Sequence, residues 1–206
     1  MTSETRTHWD DVYAGTPDDR LSWHQDNPAP SLDLIARAGV GPGASVIDVG
    51  GGTSRLAGAL LDTGLSDVTV LDLSQVALAQ ARARLGAAGE TVIWVCADVT
   101  SWTPGRHYDL WHDRAVFHFL VDPADRAAYL ERLGAALGVG GHAIIATFAP
   151  DGPEMCSGMP VVRYAPDDLA ALLGEGFDLV AHRRDLHRTP KGRSQAFQFS
   201  LFRRVG

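Results

Sequence analysis

The sequence predicts an α/β fold built on a doubly wound, mostly parallel sheet. Five short apolar, β-branched runs alternate with segments of helical periodicity, and the first run ends in a glycine-rich turn. Near the C-terminus, a pair of period-two runs predicts an antiparallel hairpin that closes the sheet. With 206 residues and 22.0 kDa, the chain is predicted to form one domain.

The predicted strands are rich in valine, isoleucine and leucine, as expected of strands that are buried on both faces. They cover residues 45–49, 67–71, 91–96, 108–111 and 142–148. Apolar helical stripes are predicted at Leu56, Ala57, Leu60 and Leu61, at Val76, Ala79, Ala83 and Leu85, and at Tyr129, Leu130, Leu133 and Leu137. Right-handed crossovers between parallel strands then place helices on both faces of a Rossmann-like sheet.

The two ends of the chain differ from this regular core. The first 40 residues are predicted to form an irregular, aromatic-rich lid, followed by a helix that starts near Pro30. Residues 43–148 form the predicted core, and residues 149–206 an insert followed by the hairpin. The hairpin strands are predicted at residues 177–182 and 195–202. Together these parts make one predicted domain, residues 1–206.

Composition and charge narrow the functional classes. The net charge of −7 and the pI near 5.5 argue against the basic surface that binds nucleic-acid phosphates. No apolar run approaches the ~20 residues that span a bilayer, and the polar start has no signal-peptide pattern, so we expect a cytoplasmic protein. Cys96 and Cys156 are expected to be reduced, and the spacing of His112, His118 and Cys156 fits no metal site.

The glycine-rich turn and a later acid together predict a nucleoside site. Gly50, Gly51 and Gly52 lie where the chain must turn sharply and let a ligand approach its backbone. Asp72 ends the second strand, 20 residues after Gly52, where a carboxylate can accept both hydroxyl hydrogens of a ribose. Either feature alone could be structural, with Asp72 or Ser74 capping the next helix. Their order along the chain favours the nucleoside.

Two absences narrow the identity of this nucleoside. A dinucleotide pattern G-x-G-x-x-G that begins at Gly50 would need its third glycine where Arg55 stands. The chain also lacks the G-x-x-x-x-G-K-[ST] sequence of loops that bind nucleoside triphosphates. The pattern therefore disfavours NAD and ATP.

The segment Val46–Ser54 resembles the first motif of the class I S-adenosylmethionine-dependent methyltransferases. Asp72 matches the ribose-binding acid of that family, Asp98 matches its adenine-contacting acid, and the likeness spans residues 43–148. It implies the seven-stranded fold of that family, S-adenosylmethionine as cofactor and S-adenosylhomocysteine as product. Within the family, the chain resembles small-molecule enzymes of the thiopurine methyltransferase type. This closer likeness rests on residues 8–13, 22–25, 111–118 and 122–129.

The resemblance implies a cofactor site made of the glycine turn, the acids and the residues beside them. Its predicted members are Trp23, Asp48, Gly50, Gly51, Gly52, Asp72, Leu73, Asp98 and Val99. Aromatic faces attract a sulfonium cation, so Tyr13, Trp23 and Phe117 are candidates for lining the methyl-transfer site. An ordinary core position is the alternative for each of these aromatic residues.

The fourth strand should deliver the catalytic residues, because ligands bind outside the carboxyl ends of parallel strands. Arg114 is predicted to fix a polar or anionic acceptor, with Asp113 either orienting it or contacting the methionine portion of the cofactor. An ion pair between the two, or with Arg126, is the structural alternative. His118 would share a face with Arg114, and could act as a base, if a helix begins there. Weaker candidates for contacts in the cleft are His24 and Cys156.

The predicted function is methyl transfer from S-adenosylmethionine to a small nucleophile, above all a thiol or a similarly soft atom. Three alternatives stay open at this stage: a protein lysine methyltransferase, an NAD(P)-dependent oxidoreductase, and a module that senses the cofactor without catalysis. The predicted partner is a small-molecule acceptor, with no metal, nucleic acid or membrane. The chain is expected to be a monomer or a homodimer.

Overall fold

The computed structural model describes residues 3–206, which form a seven-stranded sheet, a separate two-stranded ribbon and helices on both faces of the sheet. The sheet strands are β1 (Ser45–Val49), β2 (Asp67–Asp72), β3 (Ile93–Cys96), β4 (Tyr108–Arg114), β5 (Leu137–Phe148), β8 (Phe177–Arg188) and β9 (Ser194–Arg204). The ribbon consists of β6 (Met155–Cys156) and β7 (Met159–Pro160). The helices are α1 (Ser3–Gly15), α2 (Ala29–Arg37), α3 (Leu56–Asp62), α4 (Gln75–Leu85), α5 (Pro123–Ala136) and α6 (Pro166–Leu173).

The strand order of the sheet is β3-β2-β1-β4-β5-β9-β8. The first five strands are parallel, whereas β9 runs antiparallel to β5 and β8 runs antiparallel to β9. This topology confirms the predicted fold class, including the C-terminal hairpin. The order reverses between β1 and β4, and the crevice outside the carboxyl ends of strands at such a reversal is where open α/β sheets bind ligands.

Alternating side chains give the sheet two cores. Val46 packs with Leu34 of α2 and Leu60 of α3 on one face, whereas Ile47 packs with Tyr129 of α5 on the other. The same alternation holds in β4, where Leu110 faces the α2–α3 side and Trp111 faces α5. Every second residue of a central strand therefore points to a different set of partners.

The N-terminal segment is helical, and the prediction of an irregular lid is wrong for its first part. Trp9 and Tyr13, one helical turn apart, pack on Leu21 and on Ala77 of α4. This i, i+4 pair is a helical signal that the aromatic composition of the segment obscured. The prediction of a helix near Pro30 is confirmed by α2.

The predicted stripe of α4 is also wrong. The helix buries Ala77, Leu78 and Ala81, whereas Ala79 and Ala83 are exposed. Alanines lie on several faces of this helix, so the apolar period does not define a unique side. The start of the helix is fixed by Ser74, whose Oγ accepts a hydrogen bond of 3.1 Å from the Ala77 N–H.

The turn after β4 does not continue as an α-helix. β4 extends to Arg114, Ala115 has a φ of +75°, and a 3₁₀ turn covers Phe117–Phe119. The expectation that Arg114 and His118 share a helical face is therefore wrong. It failed because the strand is longer than its apolar run, which ends at Trp111.

A buried polar group joins β4 to α5. The Tyr129 hydroxyl donates to Asp113 Oδ2 at 2.6 Å and accepts from Trp111 Nε1 at 2.9 Å. The Val116 and Phe117 backbone N–H groups donate to the same carboxylate at 2.8 and 3.0 Å. These hydrogen bonds fix the turn that follows β4.

Removing the Tyr129 hydroxyl should destabilise the fold. Tyr129→Phe should lower the free energy of unfolding by about 3 kcal/mol, because a buried carboxylate loses a donor and the Trp111 N–H loses its acceptor. Urea denaturation followed by circular dichroism measures this change.

A second buried tyrosine provides the control for this experiment. Within residues 3–206, the Tyr164 hydroxyl has no hydrogen-bond partner, so Tyr164→Phe should change the free energy of unfolding by less than about 0.5 kcal/mol. Equal losses in the two variants would contradict the role given to Tyr129.

Candidate active site

The glycine turn is packed from two sides. Gly50 and Gly52 have φ values of +64° and +51°, in the left-handed region that favours glycine. A Cβ atom on Gly50 would collide with the side chain of Val116, and one on Gly52 would collide with the Tyr13 hydroxyl. The backbone of this turn therefore lies between α1 and the segment after β4, where a side chain would block close approach.

Asp72 lies beside this turn at the end of β2. Its Oδ2 accepts from the Gly52 N–H at 2.8 Å, and its Oδ1 accepts from the Ser74 N–H at 2.7 Å. Each oxygen keeps capacity for a further hydrogen bond, as a ribose diol requires. Burial raises the pKa of Asp72 to about 6, although the two N–H groups act in the opposite direction.

A cavity of about 310 Å³ opens at the carboxyl ends of β1, β2 and β4. Toward β2 and β3 it is lined by Leu71, Asp72, Leu73, Ala97 and Val99. Toward β5 and the hairpin it is lined by Arg114, Phe119, Phe148, Cys156, Met159, Pro160, Gln195 and Phe197. The first end therefore contains the predicted nucleoside acid, and the second is aromatic and apolar around one cation.

Helix α1 contributes part of the wall of this cavity. Thr5, Trp9 and Tyr13 line it, and Trp9 contacts the rings of Trp23 and Phe119 edge-on, with centroids 5.7 and 5.2 Å away. The helix is anchored to α4. Asp10 Oδ1 accepts from Ser74 Oγ at 2.6 Å and from the Val76 N–H at 3.3 Å, and Gln80 Nε2 donates to the Tyr13 carbonyl at 3.0 Å.

The Arg114 side chain lies at the aromatic end of the cavity, toward β5 and the hairpin. Its Nη1 donates to the Trp23 carbonyl at 2.9 Å, and its guanidinium lies over the Phe197 ring, 5.2 Å from the centroid. Its Nε and Nη2 are buried and have no hydrogen-bond partner among residues 3–206. Burial lowers the pKa of Arg114 to about 10, so the side chain remains a cation at neutral pH.

Asp113 occupies a different environment from Arg114. It faces α5, where Tyr129 and two backbone N–H groups surround its carboxylate, and it does not line the cavity. Because successive residues of a strand point to opposite faces, Asp113 cannot orient Arg114. In the described part of the chain no ion pair joins them, and Arg126 instead donates to the Leu120 and Val121 carbonyls.

His118 does not line the cavity either. Its ring is buried against Phe119 and Phe148, and its Nδ1 accepts from the Phe148 N–H at 3.3 Å. Burial and then the charge of Arg114 lower its pKa to about 3, so the ring is neutral at physiological pH. The structure therefore contradicts the expectation that His118 acts as a base on a bound acceptor.

The other predicted residues are distributed as follows. Trp23, Gly50, Leu73 and Val99 line the cavity with Asp72, and Cys156 lines its far end. Gly51 and Gly52 lie in the turn. Asp98 lies in the loop after β3, where its Oδ1 accepts from the Thr100 N–H at 2.9 Å, and it is not part of the cavity wall. Phe117 is fully buried in the core that contains α5. His24 lies between Asp18 and Asp26 and lines a separate small cavity of about 30 Å³.

Several wall residues were not predicted from the sequence. Phe148 ends β5, Phe197 and Gln195 belong to β9, and Met159 belongs to the short ribbon. The C-terminal ends of predicted strands point to Phe148, but only the packing of the hairpin brings Gln195 and Phe197 beside β4. Trp9 could have been found from its helical spacing to Tyr13.

The described residues contain no cluster of three or more histidine, cysteine, aspartate or glutamate side chains that could hold a metal ion. Within residues 3–206, none of the helices has the length and apolar content needed to span a lipid bilayer.

Comparisons with known proteins agree with this geometry. A family model described as a methyltransferase domain matches residues 46–141. A search of the curated proteins by sequence found no match.

Solved structures share the fold over nearly the whole chain. A Burkholderia thailandensis 1,6-didemethyltoxoflavin N1-methyltransferase, with 1,6-didemethyltoxoflavin and S-adenosylhomocysteine bound, is 25% identical, with a TM-score of 0.78 over 98% of this chain and 88% of that one. A structure reported for the conversion of a disulfide bond into a thioacetal group in echinomycin biosynthesis is 24% identical, with a TM-score of 0.76 over 98% and 92%. The N-methyltransferase NodS of Bradyrhizobium japonicum, in complex with S-adenosylhomocysteine, is 17% identical, with a TM-score of 0.69 over 97% and 100%.

Together, the sheet topology, the glycine turn and these matches show an S-adenosylmethionine-dependent methyltransferase with the fold of the class I enzymes. Its methyl donor is S-adenosylmethionine. The residues fit this cofactor, because the turn accepts no Cβ atoms, Asp72 has spare acceptor capacity for a ribose, and the cavity wall contains aromatic rings of the kind that attract a sulfonium. An oxidoreductase or a non-catalytic sensor is therefore not supported.

The raised pKa of Asp72 predicts how cofactor binding depends on pH. Ribose hydroxyls donate to the ionised carboxylate, which is the minor form of Asp72 below pH 6. The dissociation constant of S-adenosylhomocysteine, measured by calorimetry, should therefore be about tenfold higher at pH 5 than at pH 7.5, since only about a tenth of the sites are then ionised.

Asp72→Asn provides the matched comparison. It should bind S-adenosylhomocysteine at least tenfold more weakly than the wild type at pH 7.5, and its affinity should change less than threefold between the two pH values. A wild-type affinity that does not change with pH, or an Asn variant that keeps the full dependence, would refute the assignment of Asp72.

Proposed function

We propose that this methyltransferase acts on a small, flat, largely apolar acceptor whose nucleophilic atom ionises readily, above all a thiol or a similarly soft atom. The observation that carries the proposal is the Arg114 guanidinium, which presents two buried N–H-bearing nitrogens without partners to an aromatic chamber. An anionic acceptor would complete these hydrogen bonds.

The side chains of the cavity wall indicate the kind of nucleophile. Among the described residues that line it there is no histidine or lysine. Burial raises the pKa of Tyr13 well above its ordinary value, and it raises the pKa of Cys156 to about 11. The carboxylates in this wall are Asp72, which is assigned to the ribose, and Asp125. Without a histidine or lysine base, an acceptor that ionises on its own is favoured, and a thiol with a pKa near 8.5 loses its proton far more easily than an alcohol.

The proposed reaction is an in-line displacement. When bound, S-adenosylmethionine supplies an electrophilic methyl group on a sulfonium. The acceptor thiolate donates its electron pair to the methyl carbon, and the bond between that carbon and the sulfonium sulfur breaks, which leaves a neutral thioether and neutral S-adenosylhomocysteine. Arg114 holds the anion, and Trp9, Trp23 and Phe119 limit water, which favours a step that cancels charge.

The comparison with the Burkholderia enzyme supports a small-molecule acceptor, because the two chains superimpose over nearly their full lengths and that structure contains a bound small molecule. The likeness of the sequence to thiopurine methyltransferases is part of the same proposal. A protein lysine is less suited, because a cationic side chain would have to enter beside Arg114, under α1. We further propose a cytoplasmic monomer or homodimer that does not bind nucleic acid, as its net charge of −7 favours.

An acceptor panel on one scaffold tests the proposal. Thiophenol, phenol and aniline derivatives that carry the same ring substituents should be compared with lysine-containing peptides by the rate of S-adenosylhomocysteine formation. We expect turnover of the thiols at least tenfold faster than that of the other acceptors, with none for the peptides. Faster turnover of the amine or the peptide would overturn the proposed class.

Arg114 should govern acceptor use without governing cofactor binding. Arg114→Met should lower kcat/KM for the acceptor about 100-fold, which corresponds to about 2.7 kcal/mol and to the loss of charge-assisted hydrogen bonds. Arg114→Lys keeps the charge but loses the planar donor edge, so its kcat/KM should lie between those of the wild type and Arg114→Met. The affinity for S-adenosylhomocysteine should change less than threefold in both variants.

His118→Asn provides the control at a buried position four residues away. Its side-chain oxygen can accept from the Phe148 N–H as Nδ1 does, so activity should stay within threefold of the wild type. A loss of activity in this variant as large as that in Arg114→Met would contradict the distinction drawn between the two residues.

A further inference from the structure

A chain of buried hydrogen bonds lies behind the glycine turn, outside the cavity wall described above. His112 of β4 contacts Asp48 Oδ1 through its Nδ1 at 2.7 Å, and it contacts the Ser31 Oγ of α2 through its Nε2 at 2.8 Å. All three residues are at most 3% exposed. An ionised carboxylate only accepts hydrogen bonds, so in the neutral ring Nδ1 carries the proton and Nε2 accepts from the Ser31 hydroxyl.

The second carboxylate oxygen of Asp48, Oδ2, takes no part in this chain of hydrogen bonds. Asp48 Oδ2 is buried and has no hydrogen-bond partner among residues 3–206. It lies directly under the turn, where a Cβ atom on Gly51 would be only 2.8 Å away. A buried acceptor without a donor destabilises the fold by about 1–3 kcal/mol, so the missing partner requires an explanation.

The position of Asp48 points to that partner. Its charge acts on Asp72, whose pKa it raises, and on Arg114, whose pKa it raises against the larger effect of burial. Asp48 belongs to β1, which pairs with the strand of Asp72 on one side and with the strand of Arg114 on the other. The amino acid of S-adenosylmethionine is a separate substituent on the sulfur, so a cofactor whose ribose lies at Asp72 can direct this amino acid toward the turn after β1. Its ammonium group is a cationic donor.

We propose that His112 is a positioning residue: held by Ser31, it fixes the Asp48 carboxylate under the glycine turn with Oδ2 free for the ammonium group of the cofactor. This inference rests on the cofactor assignment and not on the proposed acceptor. Ser31 and His112 do not touch the cofactor in this scheme. They prevent rotation of the Asp48 carboxylate and so keep its Oδ2 pointing in one direction.

Two ligands separate this role from a purely structural one. S-adenosylhomocysteine contains the amino acid, whereas 5′-methylthioadenosine keeps the adenosine and the sulfur but lacks the ammonium group. Calorimetric affinities for both, without any acceptor, therefore report on the amino acid portion alone. Wild-type protein that binds neither ligand would contradict the cofactor assignment itself, independently of His112.

Two substitutions at the same position test which bond matters. In His112→Asn, the side-chain amide can replace Nδ1 and keep the contact with Asp48, whereas in His112→Gln it replaces Nε2 and keeps the contact with Ser31. We expect His112→Gln, which loses the contact with Asp48, to bind S-adenosylhomocysteine at least tenfold more weakly, and His112→Asn, which loses only the contact with Ser31, to bind it about fivefold more weakly. The affinity for 5′-methylthioadenosine should change less than twofold in both.

Ser31→Ala removes the other end of the chain of hydrogen bonds. It replaces His112→Gln in the experiment if that variant does not fold. It should weaken binding of S-adenosylhomocysteine about fivefold and leave 5′-methylthioadenosine within twofold. Equal losses for the two ligands in these variants would mean that the chain of bonds only supports the fold, and unchanged affinities would mean that it does not position Asp48. Either result overturns the proposal.

Discussion

The parallel pairing of β1 with β4 is the constraint on which the whole site depends. In this register Asp48 lies opposite His112 and Val49 lies opposite Asp113, so the glycine turn and the end of β4 start from the same level of the sheet. β2 places Asp72 on the other side of β1 through the pairing of Val49 with Leu71. A shift of β4 by one residue would exchange the faces of His112 and Asp113 and send Arg114 toward α5.

Two charged side chains of the cavity wall, Asp72 and Arg114, are buried, and burial disfavours the charged form of each. Burial raises the pKa of Asp72 from 3.8 to about 6, which corresponds to about 3 kcal/mol against the ionised form. Because the pKa in the folded state is the higher one, the protonated carboxyl stabilises the fold at low pH, and this contribution is lost as pH rises from about 4 to 6. At neutral pH the empty site is therefore a source of instability, and ligand hydrogen bonds to the carboxylate offset it.

The sequence predicted the regular core well, because buried parallel strands and the acid after β2 are local signals. The sequence-based prediction failed where the direction of a side chain depends on the residue at which a strand or helix ends. Asp113 and Arg114 were paired as neighbours, but β4 runs to Arg114, so strand alternation separates them. A shared face for Arg114 and His118 requires a helix after β4, and the positive φ of Ala115 interrupts any such helix. Gln195 and Phe197 could not be found at all, since only the tertiary packing of β9 brings them to the cavity.

The balance of charges around the cavity also bears on the choice of acceptor. Asp72 lines the end of the cavity toward β2, and Arg114 lines its aromatic end, so a bound sulfonium adds a second cation to the cavity. A cationic acceptor would then face two like charges in a space that Trp9, Phe119, Phe148 and Phe197 shield from water, where charge repulsion is strong. An anion faces the opposite field: the guanidinium attracts it before the reaction, and the charge that it loses on methylation weakens its hold on Arg114. In the proposed reaction, the cation that binds the nucleophile therefore also helps to release the neutral product.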